Sequence, residues 1–445
     1  LIISHETVGA RMAGPGIRYW HLARVLAQEF PVVLAAPAGS VPGTGDDFAW
    51  IVYNSGRDPI LEDAIRRARA ALVPAVWLAY APALLQSDVP LIVDGYNPFT
   101  AETFFVRPGE VEAQEARLTL AYLAGDFFIC ASERQRDWWL GLLEAHGRIN
   151  VYTYPADPSL RRLIDVVPYG LPEALPRRTR PVVKGIWPGV GEQNRVVLWG
   201  GGLWPWLDSL TAIRAASKIR ETRSEVQLIF PGTRHPNPAM ANVPTHLEAA
   251  RALAQQLGLL ERGVFFGDWV PYEDWPNVLL ESDVALTLHA EDTLETRLAF
   301  RSRVLDYIWA GLPIVATRGD AVSELITAHD LGIVVKGGDV EATAGAILTL
   351  LDTPREVFQQ RRDGLRQLLT WERAARPLVD FCRHPWRAPD REALGDRLGN
   401  PFYASEAARL RAQLHEYEQM RFVRLARWLH PYRQRLRKWL KRPQT

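Results

Sequence analysis

The sequence predicts an α/β protein built from two Rossmann-like, doubly wound domains of similar size that face a cleft, followed by a basic helical tail. Three observations carry this. Short apolar runs alternate with amphipathic helical stretches up to about residue 180, and the alternation resumes near residue 190. Between them Pro172 to Asn194 is rich in Pro, Arg and Gly and has no sustained period. The predicted units are a first domain over 1–180, a second over 190–375 and a helical extension over 376–445.

In the first domain Leu1-Ile2-Ile3 reads as a strand, Gly14-Pro15-Gly16 leads into a helix from about Ile17 to Glu29, and Pro31 to Ala36 returns as a strand, giving one βαβ unit. Further strands are predicted at Trp50 to Tyr53, Ala75 to Leu78, Leu91 to Val93, Phe127 to Cys130 and Asp165 to Pro168. The second series has strands at Arg195 to Trp199, Val226 to Phe230, Val264 to Phe266, Val284 to Leu288, Ile314 to Ala316 and Gly332 to Val335. Helices fit at about Asp208 to Arg220, Thr245 to Leu257, Arg303 to Ala310 and Val340 to Leu351. In such sheets ligands sit beyond the carboxyl ends of the strands.

Composition excludes several classes. Of 445 residues 47% are hydrophobic and the net charge is +1, which rules out disorder, and no short repeat marks a fibrous chain. The only cysteines, Cys130 and Cys382, cannot build a disulfide framework or a zinc cluster. The least charged stretch, Ala70 to Ser87, holds Pro74 and Pro82 and ends at Asp88, so no membrane-spanning helix is expected. The opening at Leu1, without Met or a basic leader, points to a trimmed start. Residues 401–445 carry 11 Lys or Arg against 3 Glu, a net of +8 that leaves −7 for the remainder.

Three motifs could carry chemistry. Gly14-Pro15-Gly16-Ile17-Arg18 joins the first strand to its helix, where glycines let a ligand approach and a helix N-terminus attracts anions; the competing reading is a tight turn with Arg18 in solvent. Val196 to Trp199 runs into Gly200-Gly201-Gly202, with Asp208 placed to cap the next helix, and a phosphate is the expected guest. In the segment Glu295 to Thr317, Arg297, Arg301 and Arg303 precede a helix that ends at Gly311 and could neutralise a pyrophosphate. Asp306, on the face of Arg303, could accept from ribose hydroxyls.

With these residues in view, Leu305 to Thr317 (LDYIWAGLPIVAT) resembles the donor-site signature of the retaining GT-B glycosyltransferases of the glycogen-synthase-like family-4 group. Gly200-Gly201-Gly202-Leu203, Val264 to Val270, Glu281 to Leu286 and Ile164 to Leu171 are similar, in order, to other segments of that group, and the resemblance covers residues 1 to about 375. It implies the GT-B fold and transfer of a hexosyl- or deoxyhexosyl-type group from a nucleotide-diphosphate sugar to an acceptor hydroxyl, with retention, metal-independently and with no tightly bound cofactor. The implied acceptor is a glycan or lipid-linked molecule of the kind made in polysaccharide and cell-envelope biosynthesis, and the implied location is cytoplasmic, at the inner face of the membrane. Asp306 occupies the place of the acidic residue that holds the ribose, and Arg303 that of a diphosphate-binding base. Two departures stand out. Leu298 fills a position where the group carries a sugar-binding Glu, for which Glu295 or Glu291 would substitute; and no lysine follows the glycine loop, which Arg297, Arg301 and Arg303 would offset.

Facing the cleft from the acceptor side, His5, Glu6 and Asp94 are candidates to orient the hydroxyl, and His289 is a candidate donor-sugar contact. From residue 409 to 440 apolar residues recur at helical spacing opposite arginines, with Pro431 as a break, which suits an anionic membrane surface, a protein partner or packing on the chain itself. The rival readings are a nucleotide-sugar epimerase on the same scaffold and a non-catalytic glycan binder. Nucleic acid is not an expected partner, because the folded part lacks basic residues interleaved with aromatics.

Overall fold

The computed structural model describes residues 1–43, 46–391, 393 and 409–410. The predicted segment 409–440 lies outside them but for its first two residues.

Two parallel sheets form the two domains. The first holds β1 (Ile2–Ile3), β2 (Val33–Pro37), β3 (Ala49–Tyr53), β4 (Ala71–Pro74), β5 (Leu91–Asp94), β6 (Phe127–Cys130) and β7 (Ile164–Val166) in the order β3-β2-β1-β4-β5-β6-β7. In the second, β8 (Arg195–Trp199), β9 (Val226–Phe230), β10 (Val264–Phe266), β11 (Val284–Thr287), β12 (Ile314–Thr317) and β13 (Gly332–Val335) run β10-β9-β8-β11-β12-β13. The order reverses beside β1, where Ile2 pairs with Leu34 on one side and Leu72 on the other, and beside β8, where Val197 pairs with Leu228 and Val284. Those two switch points are where an open α/β sheet forms its crevice.

The central strands β4, β5, β6, β9, β11 and β12 are buried along their whole length, because helices cover both faces; hence they read as apolar runs, apart from Gln227 in β9 and the closing Asp94, Thr287 and Thr317. Helix starts are fixed by short polar side chains. Asp208 Oδ1 accepts from the Thr211 amide at 2.9 Å, and Ser132 Oγ from the Gln135 amide at 3.1 Å. The helix Ser302–Ala310 ends on Gly311 at φ +62°, a left-handed cap that glycine adopts without a Cβ penalty.

One predicted strand is corrected. Ala75–Tyr80 is a 3-10 helix, and the strand is the preceding Ala71–Pro74. Pro74 ends the ladder, and the apolar run through Leu78 packs against the helix Val111–Ala124 instead of extending the strand. The end of the described chain also returns to the first domain. The Leu171 amide donates to the Leu369 carbonyl and the Trp371 amide to that of Leu171; then the helix Arg376–Arg383 stacks Phe381 on Phe127 at 5.0 Å. Arg148 Nε and Nη2 donate to Asp390 at 2.9 and 3.1 Å, with both side chains fully buried. Residues 376–391 thus pack as part of the first domain. Among the described residues no helix is long and apolar enough to cross a membrane.

Candidate functional site

The two switch points enclose a cleft of about 450 Å³. Its walls are set by the carboxyl ends of the strands: His5 after β1, Gly14 at the start of the first helix, and Asn97 and Glu102 after β5 on one side. Facing them are Gly200, Gly201 and Gly202 after β8, Trp269 after β10, and Glu295, Arg301, Arg303 and Asp306 after β11.

The glycine loop is shaped by close approach. The Gly200 amide donates to the Tyr307 hydroxyl at 2.8 Å, and a Cβ on Gly200 would stand 2.7 Å from that oxygen. Gly201 has φ +86°, and a Cβ there would stand 3.3 Å from Arg303 Nη2. The Arg303 guanidinium therefore lies against the loop, its carbon 5.7 Å from the centre of the Trp199 ring. Its Nη1 is buried without a hydrogen-bond partner, and burial lowers its pKa to about 10. Asp306 is one helical turn further on. Its Oδ2 accepts from Trp275 Nε1 at 3.0 Å, and burial raises its pKa to about 7.

On the opposite wall His5 also keeps a buried, unpartnered nitrogen, Nδ1. Burial lowers its pKa to about 4, so the imidazole is neutral at neutral pH. Glu6 is buried and accepts from Asn237 Nδ2 at 2.9 Å, a bond between the domains; burial raises its pKa to about 7. Other bonds also join the two walls. Tyr96 Oη donates to the Phe300 carbonyl at 2.9 Å, Gln135 Nε2 to the Leu298 carbonyl at 2.7 Å, and Trp269 Nε1 to the Met12 carbonyl at 2.9 Å. Leu298 is therefore a buried anchor for the first domain through its backbone.

Several candidates from the sequence stand elsewhere. Arg18 and Asp94, each 1% exposed, pair with one another: Nε and Nη2 donate to the carboxylate at 2.8 and 3.2 Å, and Nη1 to the Pro168 carbonyl at 3.0 Å. Their spacing of 76 residues hid a strut that ties the first helix to β5. Gly16 is required by packing, since a Cβ would stand 2.5 Å from the Thr7 carbonyl oxygen. His289 is fully buried, with Nε2 3.3 Å from Asp320 Oδ2, and does not line the cleft. Arg297 is exposed and does not line the cleft; its carbonyl accepts from Arg134 Nη1. Glu291 is held by Arg318 Nε and Nη2 at 3.0 and 3.2 Å. Glu295 does reach the cleft, but both its oxygens accept from Arg301 at 2.7 Å, and Arg301 Nε lies 3.4 Å from Asp320 Oδ2. That pair is closed on itself.

Sequence reasoning missed two features. Glu102 enters the cleft from the helix Phe99–Val106, and its one signal was proximity to the middle strand that carries Asp94. Trp204 and Trp206 stack at 5.4 Å and 8° beside the glycine loop, where two tryptophans around a proline fill the positions searched for a lysine.

Residues 194–353, the second domain, match the family described as Glycosyl transferases group 1. Across both domains the chain is similar to sucrose-phosphate synthase from Thermosynechococcus elongatus (TM-score 0.62, 16% identity, covering 86% of this chain and 97% of that one). It is similar also to Anabaena HepE solved with UDP and glucose (0.63, 15%, 86% and 98%) and to WaaG, a glycosyltransferase involved in lipopolysaccharide biosynthesis (0.58, 14%, 86% and 99%). At these identities the likeness shows the fold, which is GT-B. A chitobiosyldiphosphodolichol beta-mannosyltransferase from Debaryomyces hansenii is 26% identical over 82 residues, 18% of this chain, and the match spans 17% of that relative. The family match thus covers the second domain, and the likeness across both domains shows the GT-B fold.

Proposed function

We propose that this protein moves a hexosyl- or deoxyhexosyl-type group from a nucleoside-diphosphate sugar to an acceptor hydroxyl in the cleft, with retention of configuration. The observation that carries this is Arg303: a half-buried guanidinium whose Nη1 is buried and unpartnered, set against a glycine loop and one turn from a carboxylate. A buried cation without a partner is costly, and a ligand anion removes that cost. Arg303 then meets the charge that develops on the departing diphosphate, and Asp306 holds the ribose. Neutral His5, across the cleft, receives a hydrogen bond from the acceptor hydroxyl. A glycan or lipid-linked acceptor fits the tryptophans at the cleft, and the basic segment 409–440 would bring the protein to a membrane surface or a partner.

The test is thermal stabilisation by a panel of nucleoside diphosphates and nucleotide sugars, on the wild-type protein and on Arg303→Ala. A shift with one nucleotide that vanishes in the variant is the expected result; a silent panel would sink the reading. The anomeric configuration of the product, read by NMR, separates retention from inversion.

A further inference from the structure

We infer that Glu102, delivered from the first domain, is the carboxylate that binds the hydroxyls of the donor's sugar ring. This rests on the nucleotide-sugar reading above.

A sugar ring in a desolvated cleft must find acceptors for its hydroxyl protons, and an ionised carboxylate with free lone pairs is the strongest acceptor a protein offers. Four acidic side chains line the cleft: Glu6, Glu102, Glu295 and Asp306. Glu295 is committed, both its oxygens taken by Arg301. Glu6 is 5% exposed, with Oε2 bonded to Asn237, and Asp306, bonded at Oδ2 to Trp275, stands one turn beyond Arg303, on the side that the proposed function gives to the ribose. That leaves Glu102. Its oxygens meet one amide group, Asn97 Nδ2, at 3.1 and 3.4 Å, which leaves lone pairs on each oxygen for a second donor.

Its position fits the role. The helix Phe99–Val106 packs against the helix Leu294–Leu298, so Glu102 stands over the wall that continues from Glu295 through Arg301 to Arg303. A sugar whose diphosphate rests on Arg303 extends along that wall. Burial first, and then the nearby Glu295 charge, raise the Glu102 pKa to about 7, while Asn97 and Arg301 oppose the rise. Holding a carboxyl in such a place costs stability, and functional sites are where that cost recurs. Because Glu102 comes from the domain opposite the phosphate site, the sugar would be gripped only with both walls together.

The experiment is calorimetric titration of UDP, GDP and ADP, each alone and as UDP-glucose, GDP-mannose or ADP-glucose, into the wild-type chain, Glu102→Gln and Glu102→Ala. In the wild type one hexose ester is expected to bind about tenfold tighter than its own diphosphate. Both variants should retain the diphosphate affinity and lose that increment, with melting temperatures without ligand equal to or above the wild type. An increment that persists in both variants overturns the inference and leaves the nucleotide-sugar reading standing. Equal losses for diphosphate and ester would also overturn it, since Glu102 would then act on the cleft as a whole. If none of the six ligands binds the wild type, the reading itself fails and this inference with it.

Discussion

Arg18 and Arg303 each stand early in a helix that starts at the cleft, one in each domain, and both are largely withdrawn from water. Arg18 spends its guanidinium on Asp94 and the Pro168 carbonyl. Arg303 keeps Nη1 unpartnered and faces the cavity. The same side chain is therefore a strut in one half and, on the function proposed above, a receptor in the other, and the difference lies in whether the fold supplies the anion. Removing one partner of a buried pair strands a charge, so Asp94→Ala should destabilise the protein by about 3–5 kcal/mol. Urea unfolding measures this. The same experiment on Arg303→Ala should show little loss or a gain, and equal losses for the two variants would break the contrast.

The second effect falls on turnover. If Arg303 answers the developing charge of the leaving group, Arg303→Ala should lower kcat/KM by about 10²–10³ while the fold persists. Steady-state kinetics with the nucleotide sugar found in the binding panel gives the number. A variant within threefold of the wild type (about 0.7 kcal/mol) would place the cation outside the reaction.

The sequence made the strands and the glycine loop legible, because buried parallel strands are apolar runs and close approach demands glycine. Arg195–Trp199, Val226–Phe230, Val264–Phe266 and Gly332–Val335 lie where the pattern put them. The run from Ala70 to Leu78 misled, since nothing polar divides β4 from the 3-10 helix after it and periodicity is silent when both faces are buried. At the site, residue type was readable and pairing was not. Arg18 and Asp94, and Glu295 and Arg301, neutralise one another, and His289 meets Asp320, only once the chain is folded. A sequence shows where charges occur and omits which of them cancel. Glu102 was hidden for the complementary reason, that the role inferred for it depends on what the opposite domain leaves unsatisfied.

Titration offers a smaller effect. Asp306, Glu102 and Glu6 have ordinary values of 3.8, 4.5 and 4.5, and burial raises each to about 7. Each binds its proton more tightly folded than unfolded, so its stabilising contribution is fully present below about pH 4 and is lost as pH rises through 7. The melting temperature of the protein without ligand, followed from pH 5 to 8, should therefore fall less steeply in Asp306→Asn than in the wild type. Equal slopes in the two proteins would mean that Asp306 is already ionised in the folded state across this range. The same variant should weaken nucleotide binding about tenfold, since a charge-assisted acceptor is replaced by an amide.

The smallest predicted effect joins the two halves of the comparison. The Tyr96 ring lies 4.6 Å from the Arg18 guanidinium, while its hydroxyl reaches the Phe300 carbonyl three residues before Arg303. Tyr96→Phe keeps the ring on Arg18 and deletes one bond between the domains, at a cost of about 1 kcal/mol. The strut should be indifferent to that change, because Asp94 still closes it. The receptor should not be, because the binding site is complete only while both walls are engaged, and an affinity falls with the fraction of molecules in the competent state. Nucleotide-sugar affinity should drop up to about fivefold in Tyr96→Phe, with the affinity for a bare nucleoside diphosphate, held by the second domain alone, unchanged. Equal weakening of both ligands would mean that Tyr96 serves the second domain's own shape, and that the two walls do not act together on the sugar.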